Sequence, residues 1–193
     1  MGMYKYVREL WKNPKDNLGS LWQKRILEWK EQEATVRIER PTRIDKAKSL
    51  GYKAKEGFIV VRQRVERGGR QREKIRKGRK SKNFGRRKDL NKSYQSVSEE
   101  RSVQKYPNCE VLNSYYVGEE GKYYWYEIIL VDKAHPQILA DPSINWIATP
   151  SNTRRVFRGL TTSAKKTRGL KHKGKGAEKL RPSREANVKR RKY

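Results

Sequence analysis

TVRIERPTRIDKAKSLGYKAKEGFIVVRQRV, residues 35–65, is the stretch whose reading decides the fold. Thr35 to Arg40 alternates: Val36 and Ile38 point one way, Thr35, Arg37 and Glu39 the other, as in a half-buried strand. Pro41-Thr42 ends the strand. Thr42 with Asp45 resembles a helix cap, Ile44 and Ala47 give a short apolar stripe, and Gly51 supplies a stop. Phe58-Ile59-Val60-Val61 opens a second strand that runs on through Arg62, Gln63, Arg64 and Val65. Strand, short crossover helix, strand is most simply a right-handed βαβ unit.

Upstream, Tyr4, Val7, Leu10 and Trp11 share a helical stripe that Asn13-Pro14 stops. Ser20 with Gln23 is a capping-box pair, opening a helix that carries Trp22, Ile26 and Trp29 on one face. Downstream, Ser96 with Glu99 caps a further helix. Val111 to Val117 and Lys122 to Asp132 then flank the loop Gly118-Glu119-Glu120-Gly121, a hairpin signal. The second of these strands is apolar on both faces, which predicts a central position. His135-Pro136 to Trp146-Ile147 forms a closing segment. The order predicts an α+β fold: a four-stranded mixed sheet with packed helices, a long basic internal extension and a basic C-terminal tail. Residues 1–61 and 93–153 are expected to form one body, 62–92 the extension and 154–193 the tail. All five tryptophans fall on apolar faces or strands and are expected in the core.

The charge is concentrated in those two segments. The net charge is +28 over 193 residues. Arg62 to Lys92 holds 15 Lys/Arg against three acids, net +12, and Arg154 to Tyr193 holds 16 against two, net +14. The remaining residues are nearly neutral. Such cationic segments call for a polyanion, and nucleic acid, bound with counterion release, is the densest one in a cell. The expected contacts in the extension are Arg62, Arg64, Arg67, Arg70, Arg72, Lys74, Arg76, Lys77, Arg79, Lys80, Lys82, Arg86, Arg87 and Lys88. Arginine dominates there, and its planar fork grips phosphate and stacks on bases. In the tail they are Arg154, Arg155, Arg158, Lys165, Lys166, Arg168, Lys171, Lys173, Lys175, Arg181, Arg184, Arg190 and Arg191. On the body, Arg40, Arg43, Lys46, Lys53 and Lys55 cluster around the short crossover helix. A chromatin-type, DNA-binding architectural protein is the alternative reading of this charge.

Other function classes find no support in the residues. Cys109 is alone, so no internal disulfide forms and an intracellular setting is expected. His135 and His172 stand apart, giving neither a zinc site nor an acid–base pair. The start lacks a signal-peptide pattern and no apolar run is long enough for a bilayer. The expectation is no enzyme, no cofactor or metal, no membrane and no small-molecule substrate.

Several strings then occur together in one order: Arg40-Pro41-Thr42-Arg43, Leu50-Gly51-Tyr52-Lys53-Ala54-Lys55, Val65-Glu66-Arg67-Gly68-Gly69-Arg70, Val97-Ser98-Glu99-Glu100-Arg101, Leu112-Asn113-Ser114-Tyr115-Tyr116-Val117-Gly118-Glu119 and Arg158-Gly159-Leu160-Thr161-Thr162-Ser163-Ala164. In these the chain resembles, nearly end to end, the archaeal and eukaryotic (e-type) large-subunit ribosomal protein fifteen family. The resemblance implies a structural constituent of the cytoplasmic large ribosomal subunit. Its implied partners are large-subunit ribosomal RNA and neighbouring large-subunit ribosomal proteins. It also implies an α+β domain whose basic extension and tail thread into RNA.

Overall fold

The computed structural model describes residues 2–69, 90–172, 174–181, 183 and 186–188. In chain order come α1 (Met3–Leu10), α2 (Pro14–Glu31), β1 (Thr35–Ile38), α3 (Ile44–Ser49), β2 (Phe58–Glu66), α4 (Tyr94–Lys105), β3 (Cys109–Glu120), β4 (Tyr123–Asp132), α5 (Pro136–Leu139) and α6 (Thr162–Thr167). Short 3-10 turns at Asn145–Ala148, Pro150–Asn152 and Ala177–Leu180 complete the path. The class is α+β, with a four-stranded sheet in the order β1-β2-β4-β3.

The sheet is antiparallel throughout, which corrects the expected βαβ unit and mixed sheet. Val36 lies opposite Arg62 and Ile38 opposite Val60 in antiparallel register. A helix of six residues spans only about 9 Å, too little to carry the chain back along the sheet. It instead plugs Ala47 into the aromatic cluster on one face, and the chain re-enters beside the end of β1 that it left. Residue alternation fixed which faces of β1 and β2 are buried, but carries no sign for their relative direction.

β4 lies between β2 and β3, as its two apolar faces predict. On one face Tyr115, Trp125 and Ile129 meet Trp11, Trp22, Trp29 and Ala47. Edge-to-ring contacts run from Trp11 to Trp22 (5.9 Å) and Trp22 to Trp29 (6.1 Å), and a tilted contact joins Trp29 to Trp125 (5.9 Å). This ladder ties the helices to the central strand, and such pairs add to plain area burial. On the other face Val61, Val111, Tyr126, Ile128 and Leu130 pack with Val103 of α4 and with Val156. Val131, Ile138, Ile144 and Ile147 close one end.

Local signals were placed differently in four cases. Pro14 opens α2, and Gly19, at φ +46°, kinks it just before Ser20. Ser93 caps α4 by accepting from the Ser96 amide at 3.2 Å, so Ser96 and Glu99 lie inside the helix and are buried. Arg43, not Thr42, is the N-cap of α3 and makes no side-chain cap, while Asp45 is buried and faces Arg43. The hairpin turns on Gly121 and Lys122 alone. Gly118 lies within β3 at a register shift, where a Cβ would come within 2.6 Å of the Trp22 ring.

Candidate nucleic-acid interface

The root of the extension is an arginine–aromatic zipper. Strand alternation puts Arg62 and Arg64 on the face carrying Trp29 and Tyr123. Their guanidinium carbons lie 4.6 and 4.8 Å from those ring centroids. Arg62 also donates to Gln32 Oε1 at 2.6 Å, and Arg64 to the Lys30 carbonyl. Burial lowers the Arg62 pKa from its ordinary value, with Glu127, opposite it in the register, pulling the other way. Arg67, just past β2, sits 4.5 Å from the Tyr124 centroid, donates to Tyr124 Oη at 2.7 Å and lies 3.4 Å from Glu119. The Tyr124 hydrogen bond raises its pKa. Cation–π contacts of this kind hold a guanidinium without neutralising it.

The two ends of the extension meet. The Gly68 amide donates to Tyr94 Oη at 2.8 Å, and Tyr94 stacks on Tyr124 at 4.9 Å. An open cleft of about 1050 Å³ adjoins this junction, lined by Gly68, Lys92, Tyr94, Arg168 and Leu180 among others. The tail around Thr167 to Ser183 therefore comes to the same cleft as the two ends of the extension. Arg70, Arg72, Lys74, Arg76, Lys77, Arg79, Lys80, Lys82, Arg86, Arg87 and Lys88 lie outside the described residues, as do Lys173, Arg184, Arg190 and Arg191.

The described tail is seated on the body. Arg154 takes a left-handed conformation (φ 53°), and its amide donates to Glu110 Oε1 at 2.7 Å. Arg155 donates to the Val111 carbonyl at 2.8 Å and lies 5.0 Å from the Trp146 centroid. Burial lowers its pKa, opposed by Glu110 and Glu99. Arg158 reaches the carbonyls of Thr153 and Ser151. Further along, Thr161 and Ser163 donate to Glu99 Oε2 at 2.7 and 2.6 Å, while Ser114 donates to Oε1. Ala164 and Ala177 are buried. Lys165, Lys166, Lys171, Lys175 and Arg181 are exposed, and their side chains have no acidic partner among the described residues. Arg168 is exposed and donates to the Gly159 carbonyl at 3.0 Å.

Around α3 the five predicted cations separate. Arg40 and Lys46 are exposed without an acidic partner among the described residues. Arg43 is half-buried, 5.0 Å from the Trp11 centroid and 3.4 Å from Asp45. Lys53 and Lys55 both bind Asp141 Oδ2, at 2.8 and 2.6 Å, and hold that carboxyl well below its usual range. The Thr42 amide is taken by Glu127 Oε2 at 3.0 Å, so that donor is not free for a phosphate. Four tryptophans are buried as expected, but Trp146 is 37% exposed.

Sequence reasoning missed the aromatic partners of the arginines. Their signal was the aromatic run Tyr123-Tyr124-Trp125-Tyr126, which falls opposite Gln63 to Glu66 once β2 and β4 are registered. Among the described residues no cluster of three His, Cys, Asp or Glu side chains is placed to hold a metal, and no helix is long and apolar enough to cross a membrane.

A family model described as Ribosomal L15, the e-type, matches residues 2–187. A protein named "Large ribosomal subunit protein eL15" from Methanospirillum hungatei is 50% identical over 191 residues, covering 97% of each chain. One of the same name from Thermoplasma volcanium is 51% identical over 187 residues, covering 96% of this chain and 95% of the relative.

Proposed function

The chain belongs to the ribosomal L15 e-type family and is a structural constituent of the cytoplasmic large ribosomal subunit; from that premise we propose how it holds its RNA. The protein works by stoichiometric binding, without turnover. Residues 62–92 and 154–193 act as the RNA-binding segments on a body made from 1–61 and 93–153. The observation that carries this reading is the concentration of nearly all the net charge in those two segments.

Within them the cations divide by role. Arg62, Arg64, Arg67 and Arg155 are occupied by aromatic rings and carbonyls of the body, so they aim the segments. Arg40, Lys46, Lys165, Lys166, Lys171, Lys175 and Arg181 are free to meet phosphate on the described surface. The extension cations from Arg70 to Lys88, with Lys173, Arg184, Arg190 and Arg191, add the greater part of the charge. A-form RNA hides its base edges in a deep major groove, so recognition runs through backbone and tertiary shape. Neighbouring large-subunit proteins and that ribosomal RNA are the partners.

The test is the salt dependence of binding between the full chain and deproteinised large-subunit ribosomal RNA, with duplex DNA as competitor. Engagement of about ten phosphates gives a slope of log K against log[salt] of roughly −7 to −9. A slope near that of one or two contacts, or equal competition by DNA, defeats the proposal.

A further inference from the structure

Trp146 differs from the other four tryptophans. Trp11, Trp22, Trp29 and Trp125 are at most 8% exposed, whereas Trp146 is 37% exposed. An exposed indole is costly to keep in water unless something covers it. Its backbone is fixed: the Trp146 carbonyl accepts from Asn152 Nδ2 at 2.6 Å and from Thr149 Oγ1 at 2.8 Å, within consecutive 3-10 turns. One side of the ring is met by the Arg155 guanidinium, itself anchored on the Val111 carbonyl. The ring is therefore a rigid plate with a cation behind it.

The surroundings are cationic. Arg154 is exposed and held in a left-handed conformation by Glu110, whose carboxylate is turned inward. Arg158 is fastened to the same 151–153 turn that holds the Trp146 carbonyl. Asp141, the nearest acid in sequence, is already clamped by Lys53 and Lys55. An aromatic plate backed by one guanidinium, next to a turn that carries two further arginines, matches a nucleotide: the base stacks on the open face of the ring and the flanking phosphates meet the guanidinium groups.

We infer that Trp146, backed by Arg155 and set beside the turn that carries Arg154 and Arg158, is a stacking platform for one unpaired base of the bound RNA. This rests on the RNA-binding reading above and adds to it a site whose ligand is an unstacked base rather than a phosphate. Arg155 acts as the positioning residue, and Arg154 and Arg158 supply phosphate contacts.

The test uses the full chain, deproteinised large-subunit ribosomal RNA and tryptophan fluorescence. The emission of the exposed tryptophan is expected to be quenched on binding and shielded from acrylamide. Trp146→Leu should remove that quenching and weaken binding about ten- to a hundredfold, while Trp146→Phe should lose less. The wild-type quenching needs no variant, so a folding defect in Trp146→Leu does not blur the result. RNA binding with unquenched emission and unchanged Trp146→Leu affinity overturns the inference and leaves the RNA-binding reading standing. Shielding in the intact subunit without quenching by bare RNA also overturns it, because a neighbouring protein then covers the ring. Failure of the wild-type chain to bind the RNA at all defeats the underlying reading itself.

Discussion

Glu99 shows how one buried side chain joins distant parts of the chain. Its carboxylate accepts from Ser114 of β3 and from Thr161 and Ser163 of the tail, and it is fully buried. Burial pushes its pKa above the ordinary 4.5, and the three hydroxyls only partly offset that. Glu127, bonded to Tyr115 Oη and the Thr42 amide, is raised for the same reason. A raised carboxyl keeps a proton that the unfolded chain has released. Its favourable contribution is therefore complete below about 4.5 and is lost as pH climbs through the folded value. Asp141 acts in the opposite sense: its contribution is present above its ordinary 3.8 and fades as pH falls toward its lowered value. The melting temperature of wild type relative to Glu99→Gln is expected to increase as pH drops from neutral to the ordinary 4.5. A difference that stays flat over that range rules Glu99 out as the titrating group. None of this was legible beforehand. Glu99 read as a helix-capping acid because its tail partners are 62 and 64 residues away, and a capping pattern looks only three residues ahead.

At the scale of elements, the position of Gly118 decides how α2 meets the sheet. A side chain at 118 would strike the Trp22 ring at 2.6 Å. That ring belongs to the tryptophan ladder and cannot withdraw without disturbing Trp11 and Trp29. Gly118→Ala is expected to cost about 1–3 kcal/mol of overpacking, read as a lower midpoint in denaturant titration with an unchanged slope. A variant as stable as wild type would mean that α2 is loosely seated. Sequence reading assigned Gly118 to the turn, since glycine near a hairpin reads first as a turn residue. It placed the strands, the central position of β4 and the helix between β1 and β2. It reversed the direction of β2, because the docking of Ala47 that shortens the connection depends on residues from three other elements. At the interface, the concentration of charge could be read directly from composition. The pairing of Arg62, Arg64 and Arg67 with Trp29, Tyr123 and Tyr124 needed the sheet register.

Across the whole molecule, the two basic segments look alike in composition but relate differently to the core. Between residues 70 and 89 the sequence holds only Ile75 and Phe84 as large apolar residues. The bases of the extension are pinned by Arg67 on Tyr124 and by Tyr94 on Gly68, so its ends already lie together. The tail, by contrast, supplies Val156 to the core and Thr161, Ser163, Ala164 and Ala177 to buried positions. Two truncations separate these relations. Replacing Gly69 to Asp89 by a short glycine linker should leave the melting temperature nearly unchanged, since a stretch so poor in apolar residues has little hydrophobic burial to lose. Ending the chain after Thr153 removes Val156 and leaves Glu99 with one donor. Exposing that apolar surface and leaving the buried Glu99 carboxyl short of hydrogen-bond partners should cost at least about 3 kcal/mol, a fall in melting temperature of roughly 6–12 °C. Both variants should incorporate poorly into large subunits, the first because it lacks cations and the second because it also lacks a stable fold. Normal incorporation of the folded extension deletion would show that residues 69–89 are dispensable for assembly and that the tail and body carry the RNA contact alone.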